Sequence, residues 1–264
     1  MSAEIVERVL QSTRYRGVDP ALVARLAAEE LPRSRSADDA VKRVKRRLHQ
    51  AVGAFRGARA APESWPAGDA ASLRDACLRA MARHASTRER IAALDRFHEG
   101  IWAVTGRPSR ILDLGCGLHP LSLPWMGIGA ASYVAIDADA AALSTVEGFL
   151  AAVGQPHRVD MRDLARDVPD DPADVALLLK LVTTLDRQDP AAADRLLGGL
   201  RVRHAVVSFA ARSLGGRGGG REATYRERMV RLTDACGRVR SITETSVPNE
   251  LVFVLELEPM TSDG

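Results

Sequence analysis

From Arg110 onward the chain alternates short apolar strands with helices, and this alternation restricts the fold more than any other feature of the sequence. Strand patterns fall at 110–114, 132–136, 156–160, 174–179 and 204–209, with helical patterns at 139–152 and about 190–199. Strands separated by helices pair in parallel through right-handed crossovers, so the pattern calls for a mostly parallel sheet in an α/β domain. A helix over about 222–236 and two adjacent strands near 238–245 and 250–257 close the chain. With 264 residues, 46% of them hydrophobic, the chain can fill one α/β core and still carry a smaller accessory domain.

The accessory part comes first and reads as helical. Asp19-Pro20 suits the start of a helix, Asp as the cap and Pro in the first turn, and Leu31-Pro32 marks its end. A third helix is expected over 36–52, with Ala40, Val41, Val44, Leu48 and Val52 on one face and Lys42, Arg43, Lys45, Arg46 and Arg47 on the other. Residues 53–70 are rich in Gly, Ala and Pro and read as a linker. A helix follows over about 71–83. Ser86-Thr87-Arg88-Glu89 has capping-box spacing, which predicts a new helix from Thr87 to about Val104, stopped by Gly106-Arg107-Pro108.

The net charge is only +3, but it is unevenly spread: about +8 over residues 1–110 and about −5 over the remainder. A basic N-terminal third on a more acidic body suits docking on a polyanion such as RNA. The alternative is an ordinary solvated helix face, and charge alone does not separate the two. MSAEIVERVL lacks the basic start and apolar core of a secretory signal, and no stretch approaches 18 uninterrupted apolar residues, so a soluble, cytoplasmic protein without a membrane partner is expected. Cys77, Cys116 and Cys236 are widely spaced, with no C-x-x-C pair, and read as reduced thiols rather than disulfides or metal ligands.

The sharpest local motif is Ile111-Leu112-Asp113-Leu114-Gly115-Cys116-Gly117, an apolar strand running into a glycine turn. Gly115 and Gly117 let the backbone approach a ligand at the carboxyl end of the strand, where sheets of this type bind their ligands. A dinucleotide fingerprint needs Gly at position 120, where Pro120 stands, which argues against NAD and FAD. The D-x-G-x-G form resembles motif I of S-adenosylmethionine-dependent enzymes. Asp137, at the end of the next strand, can accept both ribose hydroxyls, and Asp163, after the one beyond it, is placed to accept from the adenine amine. Either carboxylate could instead cap a helix. Three such positions at consecutive strand ends favour a cofactor site.

Several further segments carry a more specific resemblance. Asp39-Ala-Val-Lys-Arg-Val-Lys-Arg-Arg-Leu-His49, Leu78-Arg-Ala-Met81, His84-Ala-Ser-Thr-Arg-Glu-Arg90, Asp113-Leu-Gly-Cys-Gly-Leu-His-Pro-Leu121, Pro124-Trp-Met-Gly127, Leu177-Leu-Leu-Lys180, Ser213-Leu-Gly215 and Asn249-Glu-Leu251 resemble, in order and rough spacing, the aminoglycoside-resistance 16S rRNA guanine-N7 methyltransferases. The likeness runs over nearly the whole chain. It implies a class I Rossmann-like methyltransferase fold with a mostly parallel seven-stranded sheet, over residues 85–264, preceded by an all-helical, basic domain over residues 1–84 that contributes to ribosome recognition and to the cofactor pocket. It also implies S-adenosylmethionine as cofactor and the small ribosomal subunit as partner; the cysteine spacing gives no reason to expect a metal.

Carried over residue by residue, the resemblance implies cofactor contacts at Phe55, His84, Ser86, Arg90, Gly115, Gly117, Asp137, Asp163, Leu164, Leu179 and Gln188. Arg90 would hold the methionine carboxylate through its planar fork of donors. Lys180, ending an apolar strand at the active-site edge, would help position cofactor and target. Lys42, Arg43, Lys45, Arg46 and Arg47, with Arg212, Arg217 and Arg221 of the later loop, would contact rRNA phosphates. The sequence departs from the family at Gly115, where Ala is common, at His119, where Asn is usual, and at Ala210-Ala211-Arg212, which replaces a Pro-Thr-Lys-like stretch. These changes bear on the exact target base. Competing readings are a shifted rRNA nucleotide, a small-molecule substrate of the same fold, or a noncatalytic RNA-binding protein on that fold.

Overall fold

A computed structural model describes residues 1–53, 64–66, 68–210 and 221–260. Among these residues six α-helices precede the first strand: α1 (Ser2–Leu10), α2 (Pro20–Glu30), α3 (Ala37–Leu48), α4 (Ala70–Ala82), α5 (Ala85–Arg88) and α6 (Leu94–Thr105). The caps follow from the sequence. The Asp19 carboxylate accepts the amide of Ala21 with Pro20 in the first turn of α2, and Ser36 Oγ accepts the Asp39 amide at the start of α3.

Helices α1 to α3 share a core of their own, built on Ile5, Val9, Leu22, Val23, Leu26, Val44 and Leu48. Each fully buried Leu there stabilises the packing by roughly 2 kcal/mol relative to exposure. Helix α4 packs elsewhere: Cys77, Ala80 and Met81 join Phe97, Ile101, Ile111, Tyr133 and Phe149 on one face of the sheet. The helix expected from Thr87 to Val104 is broken. Helix α5 ends at Arg88, and a 3-10 turn at Ile91–Ala93 precedes α6. The capping-box side chains are engaged otherwise, Ser86 Oγ with His84 Nδ1 and Glu89 with Lys180 Nζ.

Next come β1 (Arg110–Leu114), α7 (Leu123–Met126), β2 (Ser132–Asp137), α8 (Ala140–Ala152), β3 (His157–Met161), β4 (Ala173–Leu179), α9 (Val182–Asp186), α10 (Ala192–Gly199), β5 (Val202–Ala210), α11 (Arg221–Cys236), β6 (Val239–Val247) and β7 (Glu250–Leu257). The seven strands form one sheet in the order β3-β2-β1-β4-β5-β7-β6. Strands β1 to β5 pair in parallel, and β7 runs antiparallel between β5 and β6. The α/β class and the mostly parallel sheet are thus as the alternation requires. Its second face is covered by α9, α10 and α11 through Val182, Leu185, Leu196, Leu197, Met229 and Leu232. Among the described residues no helix is long and apolar enough to cross a membrane.

Candidate active site

Strand order reverses between β1 and β4, and open α/β sheets bind ligands at the carboxyl ends of the strands flanking such a point. A cavity opens there. Of the residues singled out from sequence, His84, Ser86, Gly115, Gly117, Asp137, Asp163, Leu164, Leu179, Lys180 and Gln188 all line it. Phe55 lies outside the described residues.

The turn after β1 forms one wall. Gly115 and Gly117 adopt φ of 63° and 51°, where a side chain is strained. A Cβ on Gly117 would stand 2.9 Å from His84 Cε1, and one on Gly115 would stand 2.8 Å from Leu181 Cδ1. The Cys116 amide donates to Ile136 O at 3.0 Å and ties the turn to β2. Asp137 completes this wall: its two oxygens accept the amides of Gly117 and Asp139, both at 2.9 Å. Burial pushes its carboxyl up to about 6, with the Gly117 amide pulling the other way. Beneath the turn, His119 is buried with Nδ1 2.8 Å from Asp113 Oδ2, which also accepts the Tyr133 hydroxyl at 2.7 Å. His119 therefore braces β1 from below and does not line the cavity.

Asp163 and Gln188 form the opposite wall, and a residue that the sequence analysis missed holds them. Arg25 of α2 donates Nε to Asp163 Oδ2, and Nη2 to Asp163 Oδ1 at 3.2 Å and to Gln188 Oε1 at 2.7 Å. Nothing local marks Arg25, because its i,i+4 partner Glu29 makes it look like half of an ordinary surface pair. Leu22, Ala51 and Val52 from the same N-terminal unit also line the cavity.

Lys180 follows directly on β4 at φ 59°, a left-handed conformation that a lysine rarely adopts. Its amide donates to Ser208 O at 3.1 Å, and its Nζ donates to Ser86 O at 3.1 Å and Glu89 Oε2 at 2.7 Å. Beside it, burial holds the His84 imidazole down at about 4, so it is neutral near pH 7, with Nδ1 2.9 Å from Ser86 Oγ. Arg90 stands behind this wall and is not part of the cavity lining. Its guanidinium lies 4.2 Å over the Phe97 ring and donates Nε at 3.0 Å, and Nη2, to the Glu250 carboxylate. A buried arginine requires a buried anion, and here Glu250 of β7 supplies one. Burial pushes the Glu250 carboxyl up, but Arg90 and Lys180 prevail and hold it below its ordinary value.

The cationic face of α3 divides in two. Arg43 Nε meets Glu30 at 2.7 Å, and Arg47 meets Glu30 at 2.8 Å, Glu29 at 3.2 Å and Gln188 O at 3.1 Å. Lys42 and Arg46 are exposed, Lys45 is half-buried, and Arg221 is exposed at the start of α11. Arg212 and Arg217 lie outside the described residues. Two of the five α3 cations expected to meet RNA are therefore bound to internal carboxylates. The acidic pair Glu29-Glu30 sits in the sequence, but its proximity to α3 is a tertiary fact. Among the described residues no group of three or more His, Cys, Asp or Glu could hold a metal.

Comparison with known proteins agrees with this geometry. A 16S rRNA (guanine(1405)-N(7))-methyltransferase of Micromonospora echinospora is 36% identical over 269 residues, covering 96% of each chain. One of the same name from Serratia marcescens is 36% identical over 217 residues, covering 82% of this chain and 84% of the relative. The crystal structure of the 16S rRNA methyltransferase RmtF in complex with S-adenosyl-L-homocysteine superposes with a TM-score of 0.82 at 32% identity, over 97% of this chain and 98% of that one. The family described as ribosomal RNA methyltransferase (FmrO) matches residues 11–254. With a family match over most of its length and a fold whose cavity gathers the motif residues, the chain belongs to the ribosomal RNA methyltransferase (FmrO) family.

Proposed function

We propose that the protein methylates N7 of a guanine in the decoding A-site of 16S rRNA within the small ribosomal subunit, using S-adenosylmethionine, and so confers aminoglycoside resistance. One observation carries the reading: relatives named for guanine-N7 methylation of 16S rRNA align over 96% of this chain and over 96% and 95% of their own lengths. The cavity fits the cofactor. Asp137 keeps acceptor capacity beyond its two amide bonds, in a site where burial penalises an unpartnered carboxylate, and ribose hydroxyls would supply the missing donors. Asp163 and Leu164 would take the adenine, and Gly115 and Gly117 would let the backbone approach. Lys180, which lines the cavity beside His84 and Ser86, and Arg90 behind it would supply positive charge at the methionine end.

When bound, S-adenosylmethionine supplies a sulfonium methyl group as the electrophile. Guanine N7 offers a lone pair and carries no proton, so this chain needs no general base. His84, held down at about 4 by burial, is a poor proton acceptor, which accords with a reaction that needs none. What remains is alignment and exclusion of water, worth up to several orders of magnitude in rate. Residues 1–84 would face the ribosome, with α1 to α3 as a self-contained helical unit and α4 rooting it in the catalytic body. Lys42, Arg46 and Arg221 carry the exposed charge for phosphate contact, and the cytoplasm, where subunits reside, is the place of action.

The test is transfer of labelled methyl from S-adenosylmethionine to purified small subunits, with naked 16S RNA and large subunits as controls, followed by mapping of the modified base. Label at one guanine N7 of the decoding site is the expected result. Label elsewhere, or on a small molecule only, would replace the assignment. Reversing Lys42 and Arg46 to Glu together should weaken subunit binding and flatten its salt dependence, with cofactor affinity unchanged.

A further inference from the structure

The N-terminal helical unit touches the cavity at both of its walls. Near Asp137, the Asp19 amide donates to Ala138 O at 2.9 Å and the Ala140 amide to Gly17 O at 2.8 Å, a short bridge between the unit and the loop after β2. At the other wall Arg25 crosses from α2 to Asp163, 138 residues away in sequence, with both side chains buried to about 10% exposure.

The lone pairs of Asp163 show what this contact does. Oδ1 accepts from Arg25 Nη2 and from the Ala165 amide, both at 3.2 Å, and Oδ2 accepts from Arg25 Nε. A carboxylate offers about four acceptor positions, so the fork of Arg25 sets the plane of the group and leaves roughly one open. Gln188 is held at both ends: its Oε1 takes Arg25 Nη2 and its backbone oxygen takes Arg47 Nη2 at 3.1 Å. Arg47 belongs to α3 and shares Glu29 with Arg25 and Glu30 with Arg43. A continuous set of charged contacts therefore runs from the wall of the cavity to the helix that presents Lys42 and Arg46.

We propose that Arg25 is a positioning residue that orients Asp163 and Gln188 for the adenine end of the cofactor, and that through Arg47 it links cofactor occupancy to the ordering of helix α3. The inference rests on the cofactor reading above and adds to it a coupling between cofactor and ribosome-facing surface. Such coupling is reciprocal: whatever steadies α3 tightens the cofactor, and the cofactor steadies α3.

The experiment uses the full chain and S-adenosylhomocysteine, with its inosine analogue, which carries oxygen in place of the exocyclic amine, as a second probe. In calorimetry Arg25→Gln should weaken S-adenosylhomocysteine roughly tenfold, and Arg25→Lys should restore little, since one ammonium cannot replace the fork. The preference for the adenine over the inosine ligand should collapse in Arg25→Gln, a change that general loosening would not produce. Asp163→Asn should have the same effect, and combining the two should add little further. The wild-type chain gives an arm that needs no variant: S-adenosylhomocysteine should slow amide exchange across 37–48. Equal affinity and equal base preference with and without Arg25, or exchange in α3 indifferent to ligand, would overturn the proposal while leaving the cofactor reading intact. A wild-type chain that binds no S-adenosylhomocysteine would overturn both.

Discussion

The two walls of the cavity are built by different means. At the β1 turn the backbone does the work: Gly115, Gly117 and Asp137 lie within 23 residues, and their geometry follows from two adjacent parallel strands and a pair of left-handed glycines. At the Asp163 wall side chains do it, with Arg25, Arg47 and Gln188 converging from three distant segments. A wall made by backbone fails when a single atom is added. A wall made by side chains fails when a partner is removed, and it can pass a signal between units because its partners belong to both. The contrast can be tested by damaging each wall in turn.

The largest effect is expected from Asp137→Asn, which takes away a charged acceptor that also holds the Gly117 and Asp139 amides. Affinity for S-adenosylhomocysteine should fall on the order of 100-fold by calorimetry, while unfolding in denaturant moves much less. Gly117→Ala comes next. It combines a left-handed residue with the ring of His84, which Ser86 holds in place, so about 2 kcal/mol of stability and most of the cofactor affinity should be lost. A variant with unchanged denaturation midpoint would show that the turn is looser than its φ angles imply.

A third expectation concerns pH. The Asp137 carboxyl is lifted from its ordinary 3.8 to about 6 by burial. Between those values the folded chain binds more protons than the unfolded one, so this group's contribution to stability falls as pH rises through the window. Cofactor binding should run the opposite way, because hydroxyl donors need the ionised carboxylate. Affinity should drop roughly tenfold between pH 7 and pH 5, and Asp137→Asn should abolish the drop. The smallest effect is expected from Gly115→Ala. Its new methyl meets only the flexible end of Leu181, so the cost should stay near the ~1 kcal/mol of the left-handed backbone. A loss as large as that of Gly117→Ala would mean that the first glycine also serves the ligand directly.

Much of this could be read beforehand, and the reasons differ by residue. The strands, the glycine turn and Asp137 were legible because period-two apolar runs and left-handed glycines act over a few neighbouring residues. The helix expected over 87–104 was not, because Ser86 and Glu89 have capping-box spacing but find stronger partners in His84 and Lys180. The pairing of Arg90 with the buried Glu250, 160 residues later, is likewise invisible in the sequence, where the arginine stands alone on a helical segment. The cations of α3 were counted correctly, but which of them stay exposed depends on Glu29 and Glu30 of a separate helix.

The α/β class, the strand ends at which the cavity opens and the helices that precede the first strand are all written in the order of residues. These rest on local periodicity, backbone sterics and the placing of apolar residues. Which charges are free and which are bound, and that Arg25 is the residue by which α2 reaches the Asp163 side of the cavity, emerge only on packing. Ion pairs between distant segments depend on distance and burial, and neither quantity exists until the chain has packed.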